Sequence, residues 1–259
     1  MNDRSLLGTG VLVTRPAAQN AELSDAIESA GGFVFRLPVI DIVPRERSDV
    51  KAEATALDTP DVVIFVSRNA VVHGVNFIPD NDIRIAAIGP ATRAAVEHSG
   101  RRVSIYPDGD FDSENLLRHP DLVDVSNKRV LIVRGNQGRQ LLNDTLTELG
   151  AAVSHLAVYD RITASPAADE LLRLERSWNR ICVIVAMSVQ SLMSLLKILP
   201  VNCRTTLHNS LLVTPSKRVI QTGLELLPGV RSTLAPGPQA SSLVETIIAS
   251  RQGQVEQNE

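Results

Sequence analysis

The chain has 259 residues, of which 44% are hydrophobic and 21% are charged, and its formal net charge is −3. This length suits one large domain or two of moderate size, and the charge gives no general attraction to nucleic acid or anionic membranes. Two cysteines form no disulfide framework, and no apolar stretch approaches the roughly 20 residues of a membrane span. We therefore expect a cytoplasmic protein without nucleic-acid or membrane partners.

Apolar runs and amphipathic stretches alternate along the whole chain. Continuous Val and Ile runs separated by amphipathic helices are typical of parallel strands that are covered on both faces. Strands are predicted at residues 11–14, 34–43, 62–66, 85–88, 103–106, 130–133, 152–159, 181–185, 211–213 and 231–234. The polar residues 251–259 predict a disordered tail. The pattern as a whole indicates an α/β protein.

The segment near residues 11–41 returns near residues 130–160. Three marker pairs keep one spacing of 119 residues: Arg15 with Arg134, Gly31 with Gly150, and Asp41 with Asp160. A shared spacing of this kind indicates an internal duplication, and therefore two domains. The related segments 37–43 and 156–161 lead away from complete helix–strand units. We interpret them as a pair of connecting strands between the domains.

Polar residues collect where the predicted strands give way to helices. In an open parallel sheet these positions share the carboxyl edge, where helix N-termini present free backbone N–H groups. Such an edge is predicted to bind an anionic ligand. The candidate binding residues are Thr14, Arg15, Ser67, Asn69, Gly89, Thr92, Ser113, Arg134, Gly135, Ser188, Ser216 and Lys217. For any single Ser or Thr, plain capping of its helix is the alternative interpretation.

Motifs for metals and cofactors are missing from the sequence. No P-loop is present, and the segment from Gly135 to Gly138 falls short of the dinucleotide fingerprint. The five histidines show no metal-ligand spacing, and most of them are expected at the surface. The sequence therefore predicts a protein that uses no metal and no cofactor.

Together these residues resemble the uroporphyrinogen-III synthase family. The resemblance covers the chain up to its polar tail, and it depends on the order and spacing of several segments. These are LVTRPAAQNAELSDAIESAGG, LPVIDI, VVIFVSRNAV, IAAIGPATRAAVEHSG, VLIVRGNQGRQLLNDTLTELGA, VSHLAVYDR and TPSKRVI. No single segment is decisive, but their succession is specific to this family.

The resemblance implies two similar parallel-sheet α/β domains joined by a two-stranded β-ladder hinge, with the active site in the cleft between them. In the family the first strand–helix unit crosses over to the C-terminal half. The resemblance therefore implies one domain from residues 1–36 with 162–250 and a second from residues 43–155. Residues 37–42 and 156–161 would be the connecting strands.

The activity that the resemblance implies is the cofactor-free cyclisation of hydroxymethylbilane to uroporphyrinogen III, with inversion of ring D and loss of water. This reaction belongs to haem and tetrapyrrole biosynthesis. The acetate and propionate arms of the substrate are anionic, as the predicted edge requires. The resemblance also implies a monomer and a transient hand-over of substrate from hydroxymethylbilane synthase.

Tyr159 matches the family tyrosine of the second connecting strand, and the resemblance therefore marks it as catalytic. A phenol can protonate or hydrogen-bond a departing hydroxyl group. The alternative is that Tyr159 only packs its ring in the hinge, since its partner in the repeat is Ile40. Among the candidate residues, the resemblance assigns substrate binding to the hydroxyls of Ser67, Thr92, Ser188 and Ser216. Arg15, Arg134 and Lys217 are candidate partners for carboxylates, and plain solvation at the surface is the alternative interpretation for each.

Two other functions fit the same pattern. A non-catalytic two-lobed module that binds or senses a small anionic ligand would have the same lobes and hinge. An enzyme acting on nucleotides or sugar phosphates would use similar helix ends, but the phosphate loop is missing. One departure from the family also stands out: Ala186-Met187-Ser188 replaces a Phe-Thr-Ser-like triplet, which removes one hydroxyl from this strand end.

Overall fold

The computed structural model describes residues 5–80, 82–109, 111–138 and 140–255. These residues form two compact units. Unit 1 contains the described residues up to Asp41 and those from Thr163 onward, and unit 2 is Ile42–Ile162. Within the part of the chain that the structure describes, no helix has both the length and the apolar character needed to cross a bilayer.

Helices and strands alternate, as the sequence predicts. In chain order they are β1 (Gly10–Val13), α1 (Ala21–Ser29), β2 (Phe33–Arg36), β3 (Ile40–Pro44), α2 (Arg47–Ala56), β4 (Val62–Phe65), α3 (Arg68–Gly74), β5 (Arg84–Ala87), α4 (Pro90–His98), α5 (Ser113–Leu116), α6 (Pro120–Val123), β6 (Arg129–Gly135), α7 (Leu141–Glu148), β7 (Ala152–Thr163), α8 (Ala168–Arg176), β8 (Ile181–Val185), α9 (Val189–Ile198), α10 (Val201–Thr205), β9 (Leu211–Thr214), α11 (Lys217–Leu226), β10 (Arg231–Leu234) and α12 (Ala240–Val255).

Each unit has its own five-stranded sheet. The sheet of unit 1 has the order β10-β9-β8-β1-β2, and all of its strand pairs are parallel. The second sheet has the order β5-β4-β6-β7-β3, and its pairs from β5 to β7 are parallel. The chain passes from one unit to the other within β3 and again at the end of β7. The predicted α/β fold with two parallel-dominated sheets is confirmed.

The two sheets repeat one arrangement. Strand β1 corresponds to β6 and β2 to the start of β7, while β8 and β9 correspond to β4 and β5. Both units therefore combine strands from the two halves of the duplicated sequence. The helix ends repeat as well, because Gly31 and Gly150 have φ values of 85° and 84°. This left-handed conformation after a helix is cheap only for glycine, as the sequence predicts for Gly150.

The core of unit 2 lies on both faces of its sheet. Alternate residues of a strand point to opposite faces. Phe65 and Val133 accordingly join a buried cluster beneath α3, whereas Ile64 and Ile132 join a cluster with residues of α5, α6 and α7. Both faces are covered by helices, which accounts for the continuous apolar runs in the sequence.

Three local predictions are wrong. Strand 34–43 is divided into β2 and β3, because Pro38 lacks the N–H that a continuous ladder needs. Residues 103–106 form no strand beyond a single bridge between Ile105 and Ala86, and Pro107 ends any further pairing.

Helix α12 continues through residues 251–255, where the sequence predicts a disordered tail, because the helix-forming Arg251 and Gln252 extend it. Residues 256–259 lie outside the described residues.

Candidate active site

The candidate residues lie at the carboxyl edge of the sheet in their own unit, where the parallel strands end. In unit 2 these are Ser67, Asn69, Gly89, Thr92, Ser113, Arg134, Gly135 and Tyr159. In unit 1 they are Thr14, Arg15, Ser188, Ser216 and Lys217. The structure brings some of them into direct contact and gives others a different role.

Ser67 and Tyr159 form a hydrogen-bonded pair at the edge of unit 2. The distance from Ser67 Oγ to Tyr159 Oη is 3.1 Å. Ser67 is also the N-cap of α3, because its Oγ accepts a hydrogen bond from the Ala70 N–H at 3.1 Å. A hydroxyl oxygen that already accepts the cap bond can still donate its own proton. When Ser67 donates to Tyr159, the phenolic proton is available to another group.

A β-bulge orients the ring of Tyr159. Strand β7 pairs with β6 in regular register up to Arg134 and Ala157, but the next pair is Gly135 with Tyr159. One residue of β7, Val158, is therefore left over. Val158 and Tyr159 consequently contribute to the same buried cluster although they are adjacent, and alternation would have separated them.

Gly135 provides the space for this ring. A Cβ atom at position 135 would lie 2.6 Å from Cε2 and 2.9 Å from Cζ of Tyr159. Tyr159 is only 5% exposed, and its hydroxyl reaches Ser67 from this packed position. The ring packing that the sequence analysis gave as the alternative role is thus present together with a fixed hydroxyl group.

His73 is a neighbour that the sequence analysis missed. Its ring lies 6.0 Å from that of Tyr159, centroid to centroid, at an interplanar angle of 53°. The side chain is half-buried, and burial lowers its pKa below the ordinary value. The spacing of the sequence could have indicated this neighbour. Ser67, Ala70 and His73 follow one another at three-residue intervals, and such residues share one face of a helix. Three of the five histidines (His98, His155 and His208) are exposed, as the sequence predicts for most of them, whereas His73 is half-buried.

Arg134 and Ser113 line one small pocket in unit 2, with a volume of about 140 Å³. Arg134 is half-buried, and its Nε donates to the carbonyl oxygen of Gly135 at 3.2 Å. Ser113 is the first residue of α5. The cap of that helix is Asp112, whose Oδ1 accepts from the Asn115 N–H at 2.7 Å. The Ser113 hydroxyl therefore has no capping role at this helix.

The remaining candidates in unit 2 surround two helix starts. Gly89 is the N-cap residue of α4 and forms no side-chain cap, while Pro90 occupies the first turn. Thr92 is buried, at 5% exposure. Asn69 is half-buried in the first turn of α3. None of these three contacts the pair of Ser67 and Tyr159 through a hydrogen bond among the described residues.

The side chain of Thr14 lies in the core, although the sequence predicts it at the ligand-binding edge. Its side chain is fully buried, and its Oγ1 donates to the carbonyl oxygen of Val185 at 2.7 Å. The hydroxyl therefore links β1 to the end of β8 and is not exposed at the carboxyl edge of the sheet. Thr14 directly follows the last residue of β1, Val13, and at this position the chain has not yet left the core.

Arg15 and the helix starts of unit 1 are more accessible. Arg15 Nη2 donates to the Pro238 carbonyl oxygen at 2.9 Å, and burial lowers the pKa of this guanidinium although Glu22 opposes the effect. Ser216 precedes α11 without a side-chain cap, and Lys217 is exposed at the first position of that helix.

Ser188 reproduces the position of Ser67 in unit 1. Its Oγ accepts from the Ser191 N–H at 3.1 Å and caps α9. The same Oγ lies 2.9 Å from Ser191 Oγ. The residue that corresponds to Tyr159 is Ile40, and it is buried. Among the residues that the structure describes, only those of unit 2 therefore combine the capping serine with a phenol.

Comparison with known proteins identifies relatives over most of the chain. Residues 21–245 match the family model for uroporphyrinogen-III synthase HemD. The uroporphyrinogen-III synthase of Escherichia coli (strain K12) is 30% identical over 226 residues, which are 83% of this chain and 91% of that protein. The enzyme of the same name from Proteus mirabilis is 32% identical over 168 residues, or 62% of this chain and 84% of that protein.

The fold is also similar to a solved structure. The crystal structure of uroporphyrinogen-III synthetase from Helicobacter pylori 26695 superposes with a TM-score of 0.63. It covers 93% of this chain and 99% of that one at 15% identity. At this identity the likeness concerns the fold alone.

Proposed function

The chain belongs to the uroporphyrinogen-III synthase family, and from this premise we propose that Tyr159, oriented by Ser67, gives acid assistance in its reaction. The family's reaction is the cyclisation of hydroxymethylbilane, a step of tetrapyrrole biosynthesis. Water leaves the hydroxymethyl carbon on ring A, and ring D is inverted before the macrocycle closes. The chemical demand on the protein is therefore a proton for the leaving hydroxyl and control of which carbon forms the closing bond.

The proton transfer is balanced within the reaction. The Tyr159 O–H donates to the departing hydroxyl, which leaves as water, and the Ser67 O–H stabilises the phenolic oxygen as its charge increases. The C–O bond breaks with its electron pair on oxygen, so that ring A becomes an azafulvene cation. Ring D attacks through its substituted carbon to form a spiro intermediate, which fragments and recloses. The proton lost from ring D at closure restores the phenol.

The observation that carries the proposal is the fixed hydroxyl of Tyr159. Its 3.1 Å contact with Ser67 exists because Gly135 leaves room for the ring and a bulge turns Tyr159 toward α3. Ring packing alone accounts for the space at Gly135 and for the bulge, but it does not require the contact between the Tyr159 hydroxyl and Ser67. The hydroxyl contact favours a positioned proton donor.

We assign the anionic arms of the substrate to the carboxyl edges of both units. In unit 2 the proposed binding groups are Ser67, Asn69, Gly89, Thr92, Ser113, Arg134 and Gly135. In unit 1 they are Arg15, Ser188, Ser216 and Lys217. Uncapped helix starts such as that of α4 offer backbone N–H groups to carboxylates. In this proposal the two compact units are the functional domains, and the stretches 37–42 and 156–161 connect them.

Three broader features belong to the same proposal. The protein acts as a monomer in the cytoplasm, and it receives its unstable substrate by transient hand-over from hydroxymethylbilane synthase. The reducing compartment is supported by Cys182 and Cys203, which are both free thiols.

The isomer pattern of the product tests the function. The purified protein is supplied with hydroxymethylbilane, and the type I and type III porphyrins are separated after oxidation. We expect the type III isomer to predominate and to form faster than spontaneous ring closure. Formation of the type I isomer alone, at the spontaneous rate, would rule out the enzyme and favour a non-catalytic binding module.

A further inference from the structure

We propose that the pocket beside Arg134 binds one propionate arm of the substrate, an inference that rests on the proposed function. The pocket lies in unit 2 at the carboxyl edge of β4, β5 and β6. Its apolar walls are formed by Val66, Ile88, Ile132 and Leu142, and its polar groups include Arg134 and Ser113. It is separate from Tyr159, because Ile132 and Leu142 belong to the cluster on the opposite face of the sheet.

The size of the pocket selects a single short arm. Its volume of about 140 Å³ equals that of about five liquid water molecules. Two methylene groups and a carboxylate fill such a space, whereas a pyrrole ring with its substituents does not. The apolar walls suit the methylene groups, and an acetate arm, which is one methylene shorter, would leave part of these walls uncovered.

Among the described residues, Arg134 has no carboxylate partner in an ion pair. Five other arginines of unit 2 form ion pairs with carboxylates: Arg45, Arg84, Arg93, Arg101 and Arg129. Arg134 forms none with the residues that the structure describes, although it is half-buried. The pKa of His155 is lowered, mainly by burial and to a smaller extent by the positive charge of Arg134. A half-buried guanidinium of this kind favours an external carboxylate.

Gly138 allows the guanidinium to take up this position. A Cβ atom at residue 138 would lie 2.7 Å from Nη2 and 3.1 Å from Cζ of Arg134. The other side of the guanidinium is restrained, because Nε donates to the Gly135 carbonyl oxygen. Replacement of Gly138 by alanine therefore moves the charged group without removing it.

Kinetics of four variants test the pocket. Arg134→Gln removes the charge, Arg134→Lys keeps a charge but loses the planar fork, and Gly138→Ala displaces the guanidinium. Arg102→Gln is the charge-matched control, because Arg102 is exposed after α4 and has no place in the site. For Arg134→Gln we expect KM for hydroxymethylbilane to rise roughly ten- to a hundredfold while kcat changes much less. Arg134→Lys and Gly138→Ala should show smaller increases, and Arg102→Gln none.

A binding measurement without turnover provides the second readout. Sodium propionate is titrated into the ¹⁵N-labelled wild-type protein, with sodium acetate and propionamide as comparison probes. We expect propionate to shift the amide resonances of Ser113, Gln137 and Gly138 at lower concentration than acetate, and propionamide to have little effect. In Arg134→Gln the propionate shifts should disappear.

The outcomes separate this inference from the proposed function. If wild-type protein forms the type III isomer but Arg134→Gln keeps the wild-type KM and the propionate shifts, the pocket is not an arm site and only this inference is overturned. If wild-type protein forms no type III isomer, the proposed function itself is wrong. Equal shifts with acetate and propionate would overturn the assignment of the propionate arm.

Discussion

The ring of Tyr159 occupies the space that a side chain at Gly135 would need. The nearest ring atom, Cε2, lies 2.6 Å from the ideal Cβ position of residue 135. Gly135 and Tyr159 are also partners across β6 and β7, directly after the register shift. The missing side chain on one strand therefore determines where the phenol on the next strand lies, and with it the contact to Ser67.

Gly135→Ala should displace the Tyr159 ring. Overpacking of a close-packed site costs typically about 1–3 kcal/mol of unfolding free energy, and the ring cannot move without lengthening its bond to Ser67. We expect a loss of stability in this range in urea denaturation, together with reduced turnover. In a Tyr159→Ala background the same glycine substitution should cost much less. If Gly135→Ala lowers the unfolding free energy equally in both backgrounds, the added methyl group does not clash with the Tyr159 ring.

Tyr159→Phe removes the hydroxyl but keeps the ring. If the phenol assists the leaving group, kcat should fall roughly a hundredfold or more, which is the usual range for loss of an acid catalyst. Product binding should change little, because the ring still fills the space beside Gly135. Single-turnover kinetics and calorimetric titration with uroporphyrinogen III measure the two effects. Unchanged turnover would leave Tyr159 with packing alone.

Ser67 gives a matched test of the same contact. Ser67→Ala removes both the cap of α3 and the partner of Tyr159, whereas Ser67→Thr keeps a hydroxyl at this position. The alanine variant should lose about 1 kcal/mol of stability from the missing cap. We also expect a fall in kcat that the threonine variant restores in part. A fall in stability with no effect on kcat would assign Ser67 to capping only.

His73 should make the folded protein less stable in mild acid. Burial lowers its folded-state pKa below the ordinary value of 6.5, so the unfolded chain binds the proton more readily. Above pH 6.5 this effect vanishes, and below it stability is lost until the pH passes the lower folded-state pKa. His73→Gln should therefore show a smaller decrease in unfolding free energy between about pH 7 and 5. His155 contributes to the decrease that remains, because its pKa is also lowered.

His208→Gln is the control for the pH series, since His208 is exposed in unit 1. Its profile of unfolding free energy against pH measures the effect of replacing an exposed histidine by glutamine. Identical profiles for His73→Gln and wild type would show that His73 has the same proton affinity in both states.

Thr14→Val should act on stability and leave substrate affinity alone. The valine keeps the shape of the threonine but cannot donate to the Val185 carbonyl oxygen, which then stays unpaired in the core. We expect a loss of about 1–2 kcal/mol in unfolding free energy, with KM changed by less than about twofold. A large increase in KM would restore the earlier assignment of Thr14 to ligand binding.

Most of the fold can be predicted from the periodicity of the sequence, because apolar runs such as 130–133 and 181–185 have one stable environment, the interior of a parallel sheet. Boundaries were lost where a single proline interrupts pairing, at Pro38 and Pro107. The candidate residues at strand ends follow from topology. Whether each one faces a ligand does not, as Thr14 shows, because one position along a strand decides between core and surface.

The contact of Tyr159 with Ser67 could not be predicted from periodicity. It requires the bulge at Val158, and alternation along β7 assigns Tyr159 to the other face. The sequence does contain Gly135, but a glycine at a strand end has many uses. Its role is visible only when the partner strand is known. The pocket beside Arg134 could not be predicted from the sequence for a similar reason, since its walls come from three strands and two helices.

The exchange of strands between the two halves has a consequence for synthesis of the chain. Unit 2 is one continuous stretch, so its sheet can form on the ribosome as soon as β7 emerges. The first strand has no such opportunity: Thr14 and its partner Val185 are 171 residues apart. In the nascent chain, the βαβ unit of β1, α1 and β2 therefore exposes the unpaired edge of β1 until β8 has been translated. A transcript truncated after residue 162 would yield a complete second sheet that carries an orphaned, aggregation-prone arm.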